Sequence, residues 1–126
     1  MSKVLLVDDE KSLNAVLSRG LTYEGFEVIS AFSGNEALEL LSDSEFVVDL
    51  VVSDLYMDEG GGQQLIKWLK ENRPNLKVLA ISGEDKESFM SALDLVGDEG
   101  IPTMEKPFMV SQLADVVRGM LNSNLF

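Results

Sequence analysis

The run Val47-Val48-Asp49-Leu50-Val51-Val52-Ser53-Asp54 constrains this chain more than any other stretch. It is short, nearly continuously apolar, and β-branched at Val47, Val48, Val51 and Val52. A strand with this composition is one buried on both faces, as strands are inside a parallel sheet. The run stops at Asp54, and the chain then breaks into Asp58-Glu59-Gly60-Gly61-Gly62. Asp54 alone has an ordinary explanation, since aspartate favours turns and caps. It also stands at the carboxyl end of a central strand, where open α/β sheets place their ligands.

The remaining segments supply the sheet and its covering layers. Lys3 to Val7 is an apolar strand ending at Asp8-Asp9-Glu10. From Lys11 the period changes, placing Leu13, Val16, Leu17 and Leu21 on one helical face, with Gly25 closing the helix. Phe26 to Ser30 is the next strand. Ser33-Gly34-Asn35-Glu36 has the form of a capping box, opening a helix with Ala37, Leu38 and Leu41 inward. After the central strand, a helix carrying Leu65, Ile66 and Leu69 stops at Asn72-Arg73-Pro74. Leu76 to Ile81 is a fourth strand, followed by Ser82-Gly83-Glu84 and a helix from about Lys86 to Val96. Thr103 to Glu105 is a short fifth strand, and the last helix presents Leu113, Val116, Val117, Met120 and Leu121.

Strict alternation of strand and helix specifies a parallel sheet covered on both faces. Right-handed crossovers then give a doubly wound, flavodoxin-like fold of five strands in the order 2-1-3-4-5. At 126 residues the chain is read as one domain, spanning 1–126. All five strand ends fall on one rim, bringing Asp8, Asp9, Asp54, Ser82 and Lys106 together.

Composition narrows the chemistry. There is no histidine, which excludes any mechanism with an internal histidine base, nucleophile or ligand. There is no cysteine, hence no disulfide framework or thiolate metal site, and a reducing cytoplasm suits the chain. The net charge of -12 opposes direct nucleic-acid binding. No apolar run approaches the length of a membrane span. Three carboxylates in one cleft raise one another's pKa unless a cation intervenes, and oxygen-only ligands suit a hard ion such as Mg²⁺. Helix capping accounts for one of Asp8 and Asp9, but not for both together with Asp54. Lys106 and the hydroxyl of Ser82 are suited to phosphoryl oxygens. Gly60-Gly61-Gly62 lacks the lysine of a phosphate-binding loop and reads as a flexible turn. A carboxylate nucleophile, a Mg²⁺ ion and a cation form a minimal phosphoryl-transfer site, and without histidine the phosphoryl donor must be external.

The ordered set Asp8-Asp9, Asp54, Ser82 and Lys106-Pro107-Phe108, each at a strand end, resembles the receiver domain of two-component response regulators over Lys3 to Leu121. The resemblance implies that Asp54 accepts a phosphoryl group from a histidine kinase or a histidine phosphotransfer protein. It implies a Mg²⁺ ion held by Asp9, Asp54 and the backbone carbonyl of Tyr56, with Asp8 helping through water. Ser82 would bond the bound phosphoryl group, Lys106 would pair with it, and the Lys106-Pro107 bond would be cis. Such a domain is a signalling phosphoacceptor rather than an enzyme, catalysing only its own phosphorylation and slow aspartyl-phosphate hydrolysis. It either switches a protein surface or passes the phosphate on in a phosphorelay.

Three positions depart from that pattern. Asp58 replaces the usual proline, Thr103 stands where an aromatic switch residue is common, and Gly97 to Pro102 lengthens the link into the fifth strand. These bear on the output more than on phosphorylation. A non-phosphorylated interaction module on the same fold is the second reading, and retention of every site residue favours the first. A haloacid-dehalogenase-type phosphatase wants a second acid at the position of Tyr56, and in a flavodoxin Asp8-Asp9-Glu10 would repel the flavin phosphate.

Overall fold

The computed structural model describes residues 2–55, 57, 61–83 and 101–122. In chain order these form β1 (Lys3–Val7), α1 (Lys11–Tyr23), β2 (Glu27–Ala31), α2 (Gly34–Leu41), β3 (Leu50–Asp54), α3 (Gly62–Asn72), β4 (Lys77–Ser82), β5 (Thr103–Glu105) and α4 (Val110–Asn122). The five strands make one sheet in the order β2-β1-β3-β4-β5, and every neighbouring pair is parallel. This is the expected doubly wound arrangement. The helix expected from Lys86 to Val96 lies outside the described residues.

Alternation along β1 shows how the two layers are divided. Val4 and Leu6 pack with Leu17 and Leu21 of α1 and with Leu113, Ala114 and Val117 of α4. Leu5 and Val7 pack on the other face with Ala37 and Leu41 of α2 and Leu65 and Leu69 of α3. Successive side chains of a strand point to opposite faces, so a strand covered on both sides has no polar position to spare. All five residues of β3 are buried accordingly.

Three local features differ from expectation, each for a physical reason. The buried run begins at Leu50 rather than Val47, and Val47 is exposed. Asp49 closes the strand's entrance: its Oδ2 accepts from the Lys3 backbone N–H at 2.7 Å, and its own N–H donates to the Lys3 carbonyl at 2.8 Å. In α1, Val16 is 58% exposed whereas Asn14 is 1% exposed. At about 100° per residue, Asn14 shares the stripe of Leu17 and Leu21, and Val16 falls outside it. In α2 the Ser33 Oγ accepts from Glu36 N–H at 3.0 Å, as a cap does. Glu36 Oε2, however, accepts from the Phe32 N–H at 3.2 Å, one residue upstream of the usual reciprocal bond.

Gly62 is not part of a loose turn but the first residue of α3. A Cβ there would press on the Asp54 carbonyl oxygen and sit 2.6 Å from the Leu55 Cα. Glycine lets the helix lean directly on the end of β3, with Gly62 N–H donating to the Leu55 carbonyl at 3.2 Å. Gly62→Ala is expected to destabilise the fold by about 1–3 kcal/mol, the usual cost of overpacking. It is also expected to shift the Asp54 and Leu55 amide resonances. An unchanged melting temperature with unmoved Asp54 resonances would show that the contact is dispensable.

Candidate functional site

The sheet ladder itself carries the site residues. It continues one residue past the strands: Asp8 N–H donates to the Ala31 carbonyl at 3.1 Å, Leu55 N–H to Ile81 at 3.1 Å, and Lys106 N–H to Ser82 at 2.9 Å. Asp54 closes β3 opposite Ile81, and Ser82 closes β4 opposite Glu105. Ser82 is thus the last residue of its strand rather than the first after it. Each functional side chain leaves from backbone that hydrogen bonds already fix.

Lys106 Nζ donates to Asp54 Oδ2 at 2.7 Å and lies 3.6 Å from Asp8 Oδ2. Asp8 and Asp54 are both buried, at 1% and 5% exposure, so the ammonium serves two carboxylates nearly withdrawn from water. Asp8 Oδ1 accepts from the Glu10 N–H at 2.9 Å. Its Oδ2 is fully buried and makes no hydrogen bond. Burial pushes the Asp8 carboxyl above the ordinary aspartate range; the Glu10 N–H and Lys106 oppose this, and the charges of Asp54 and Asp9 reinforce it. Burial likewise opposes the charge on Lys106. The hydrogen bond and charge of Asp54, then Asp8 and Glu10, outweigh it and raise the ammonium's pKa.

Asp9 is half-buried beside Asp8. Ser82 is 2% exposed, and its Oγ donates to the Gly83 carbonyl at 3.3 Å. The Lys106-Pro107 peptide is cis. Tyr56 and Asp58 lie outside the described residues. Thr103 is exposed on β5, in register with Ala80. Among the described residues, no three acidic side chains gather closely enough to enclose an ion by themselves. The arrangement therefore offers a buried carboxylate at the end of the central strand, a second buried acid, a cation shared between them and a hydroxyl on the next strand.

Two residues at the rim carry no obvious chemical signature in the sequence. One is Gly62, behind Asp54. The other is Asn14, whose Nδ2 donates to the Asp8 carbonyl at 3.0 Å and to the Ala31 carbonyl at 3.1 Å.

A family model described as the response regulator receiver domain matches residues 4–118. The chain belongs to that family. Over 121 residues this receiver domain is 33% identical to the transcriptional regulatory protein CpxR of Escherichia coli, a match covering 96% of the chain and 50% of that protein. It is 38% identical over 118 residues to the sensor kinase CckA of Brucella abortus, covering 94% of the chain and 12% of that protein. Among solved structures, a response regulator receiver protein from Sinorhizobium medicae superposes with a TM-score of 0.83 at 32% identity, over 97% of this chain and 95% of the other. The receiver domain thus spans half or less of these two curated relatives, and nearly the whole of the solved receiver.

Proposed function

We propose that Asp54 is the phosphoacceptor and that the donor is a phosphohistidine on a histidine kinase or a histidine phosphotransfer protein. One observation carries the reading: a buried carboxylate at the end of the central strand, 2.7 Å from a lysine that also faces Asp8. In the transfer, an Asp54 carboxylate oxygen forms a bond to phosphorus as the phosphorus–nitrogen bond of the donor breaks. The electron pair leaves with the donor's imidazole. Lys106 then has a phosphoryl oxygen to pair with in place of the carboxylate oxygen it now holds. The Ser82 hydroxyl, bonded only weakly to its neighbour's carbonyl, can rotate to donate to a second phosphoryl oxygen.

The donor set fits Mg²⁺, which keeps several waters and takes one or two carboxylates rather than an all-protein cage. Asp9 and Asp54 would be the direct carboxylates, Asp8 would act through water, and the Tyr56 carbonyl would complete the set. The buried Asp8 Oδ2, which makes no hydrogen bond, supports a water-borne contact there. When bound, the ion neutralises charge on the transferring group. Addition of Mg²⁺ is expected to raise the melting temperature over EDTA at equal ionic strength. The gain is about 2.7 kcal/mol at roughly 100 times the dissociation constant, and it should be lost in Asp9→Ala. Equal melting with and without Mg²⁺, or an undiminished gain in Asp9→Ala, would remove the metal from the reading.

The role is that of a signalling phosphoacceptor, turning over only its own phosphoryl group. No described helix is long and apolar enough to cross a membrane. A cytoplasmic setting suits a cysteine-free acidic domain served by such a kinase. Intact mass after incubation with Mg²⁺ and phosphoramidate tests the whole reading, one added phosphoryl group per chain being the expected result.

A further inference from the structure

Asn14 sits one turn into α1, on the stripe that buries Leu17 and Leu21, with 1% of its surface exposed. An apolar residue would complete that stripe. The amide is instead aimed at the rim: Nδ2 bridges the Asp8 carbonyl at 3.0 Å and the Ala31 carbonyl at 3.1 Å. The Ala31 carbonyl also takes the Asp8 N–H, so the ends of β1 and β2 and the first turn of α1 are tied at one point. Asn14 Oδ1 is buried with no hydrogen-bond partner, so the residue fills this place at a cost to the fold.

The Asp8 carbonyl belongs to the peptide plane that leads into Asp9. Fixing that oxygen fixes the plane, and with it the position of the Asp9 Cα from which its carboxylate must reach the rim. The N–H of Glu10, the residue that caps α1, holds the Asp8 carboxylate at 2.9 Å. We infer that Asn14 is a positioning residue for the acid pair, orienting the Asp8–Asp9 peptide so that Asp9 meets the cation beside Asp54. It touches neither phosphoryl group nor metal. The inference rests on Asp9 and Asp54 being Mg²⁺ ligands.

The test is a Mg²⁺ titration, followed by calorimetry or amide shifts, of wild type and Asn14→Leu, with melting of both in EDTA. Outer-shell partners of metal ligands are typically worth about 10–100-fold in affinity. The Mg²⁺ dissociation constant of Asn14→Leu is therefore expected to rise about 10-fold or more, while its melting in EDTA stays near that of wild type. If leucine prevents folding, Asn14→Ser carries the same expectation. A folded variant binding Mg²⁺ within about twofold of wild type overturns the inference while leaving the metal site intact. So does an affinity loss that vanishes when a destabilised variant is cooled, because Asn14 would then merely hold the fold. A wild-type chain that takes up no Mg²⁺ overturns the metal reading and this inference together.

Discussion

Asp54→Asn is expected to abolish phosphoryl incorporation, leaving intact mass unchanged after exposure to Mg²⁺ and phosphoramidate. The substitution keeps the volume at a site that is 5% exposed and leaves Lys106 a carboxylate partner in Asp8, 3.6 Å away, so the variant is expected to fold. What is lost is the anionic nucleophile, since an amide neither attacks phosphorus nor accepts the Lys106 bond with the same strength. No other acid substitutes for it. Asp8 is buried with one oxygen committed to the Glu10 N–H, and Asp9 is only half-buried. Incorporation at wild-type stoichiometry into Asp54→Asn would refute the assignment and move the acceptor elsewhere on the rim.

Lys106→Met should produce the largest loss of stability of any rim substitution. It removes the ammonium and leaves Asp8 and Asp54 facing each other in a buried site. Exposure of the ion-paired side chains is only 23% for Lys106 and 7% for Asp54, so solvent does little to screen what remains. Breaking a buried pair from one side costs about 3 kcal/mol or more, which for a domain of this size lowers melting by roughly 10 °C. The loss should be greatest in EDTA and smaller in Mg²⁺, because a divalent ion replaces part of the missing charge. Phosphoryl incorporation should fall as well. A variant melting within a degree or two of wild type in EDTA would mean that the two acids do not depend on Lys106 for their burial.

The fold was legible because its strands are written as apolar runs and its helices as stripes, and because parallel topology follows from their alternation. The candidate site was legible for a related reason: Asp8, Asp54 and Ser82 each stand where an apolar run stops, and Lys106 follows the short fifth strand. Asn14 escaped because the stripe was read through apolar residues alone. That preference admitted Val16, which faces water, and passed over a polar residue at the spacing of Leu17 and Leu21. Its signal was present, as an amide on the buried face one turn after an acid pair. Gly62 escaped because three consecutive glycines look like slack. Only the approach of α3 to the Asp54 carbonyl reveals that one of them is a steric requirement. Val47 was misplaced because β-branching marks strand preference, whereas the start of the sheet is set by the bond from Asp49 to Lys3.

Lys106 hangs from β5, three residues long and at the edge of the sheet. Asp54, the carboxylate it grips, belongs to β3, five residues long and flanked by a strand on each side. The two partners of the central ion pair thus differ greatly in mechanical compliance. Any force between them displaces the lightly tethered side, as a load on a beam and a thread bolted together is taken up by the thread. Docking of a phosphoryl group that draws Lys106 along would leave β3 where it is and tug on Thr103, Met104 and Glu105. A rigid anchor with a pliant outrigger converts a short-range bond into a displacement at the margin of the molecule, where the strand itself is Thr103, Met104 and Glu105.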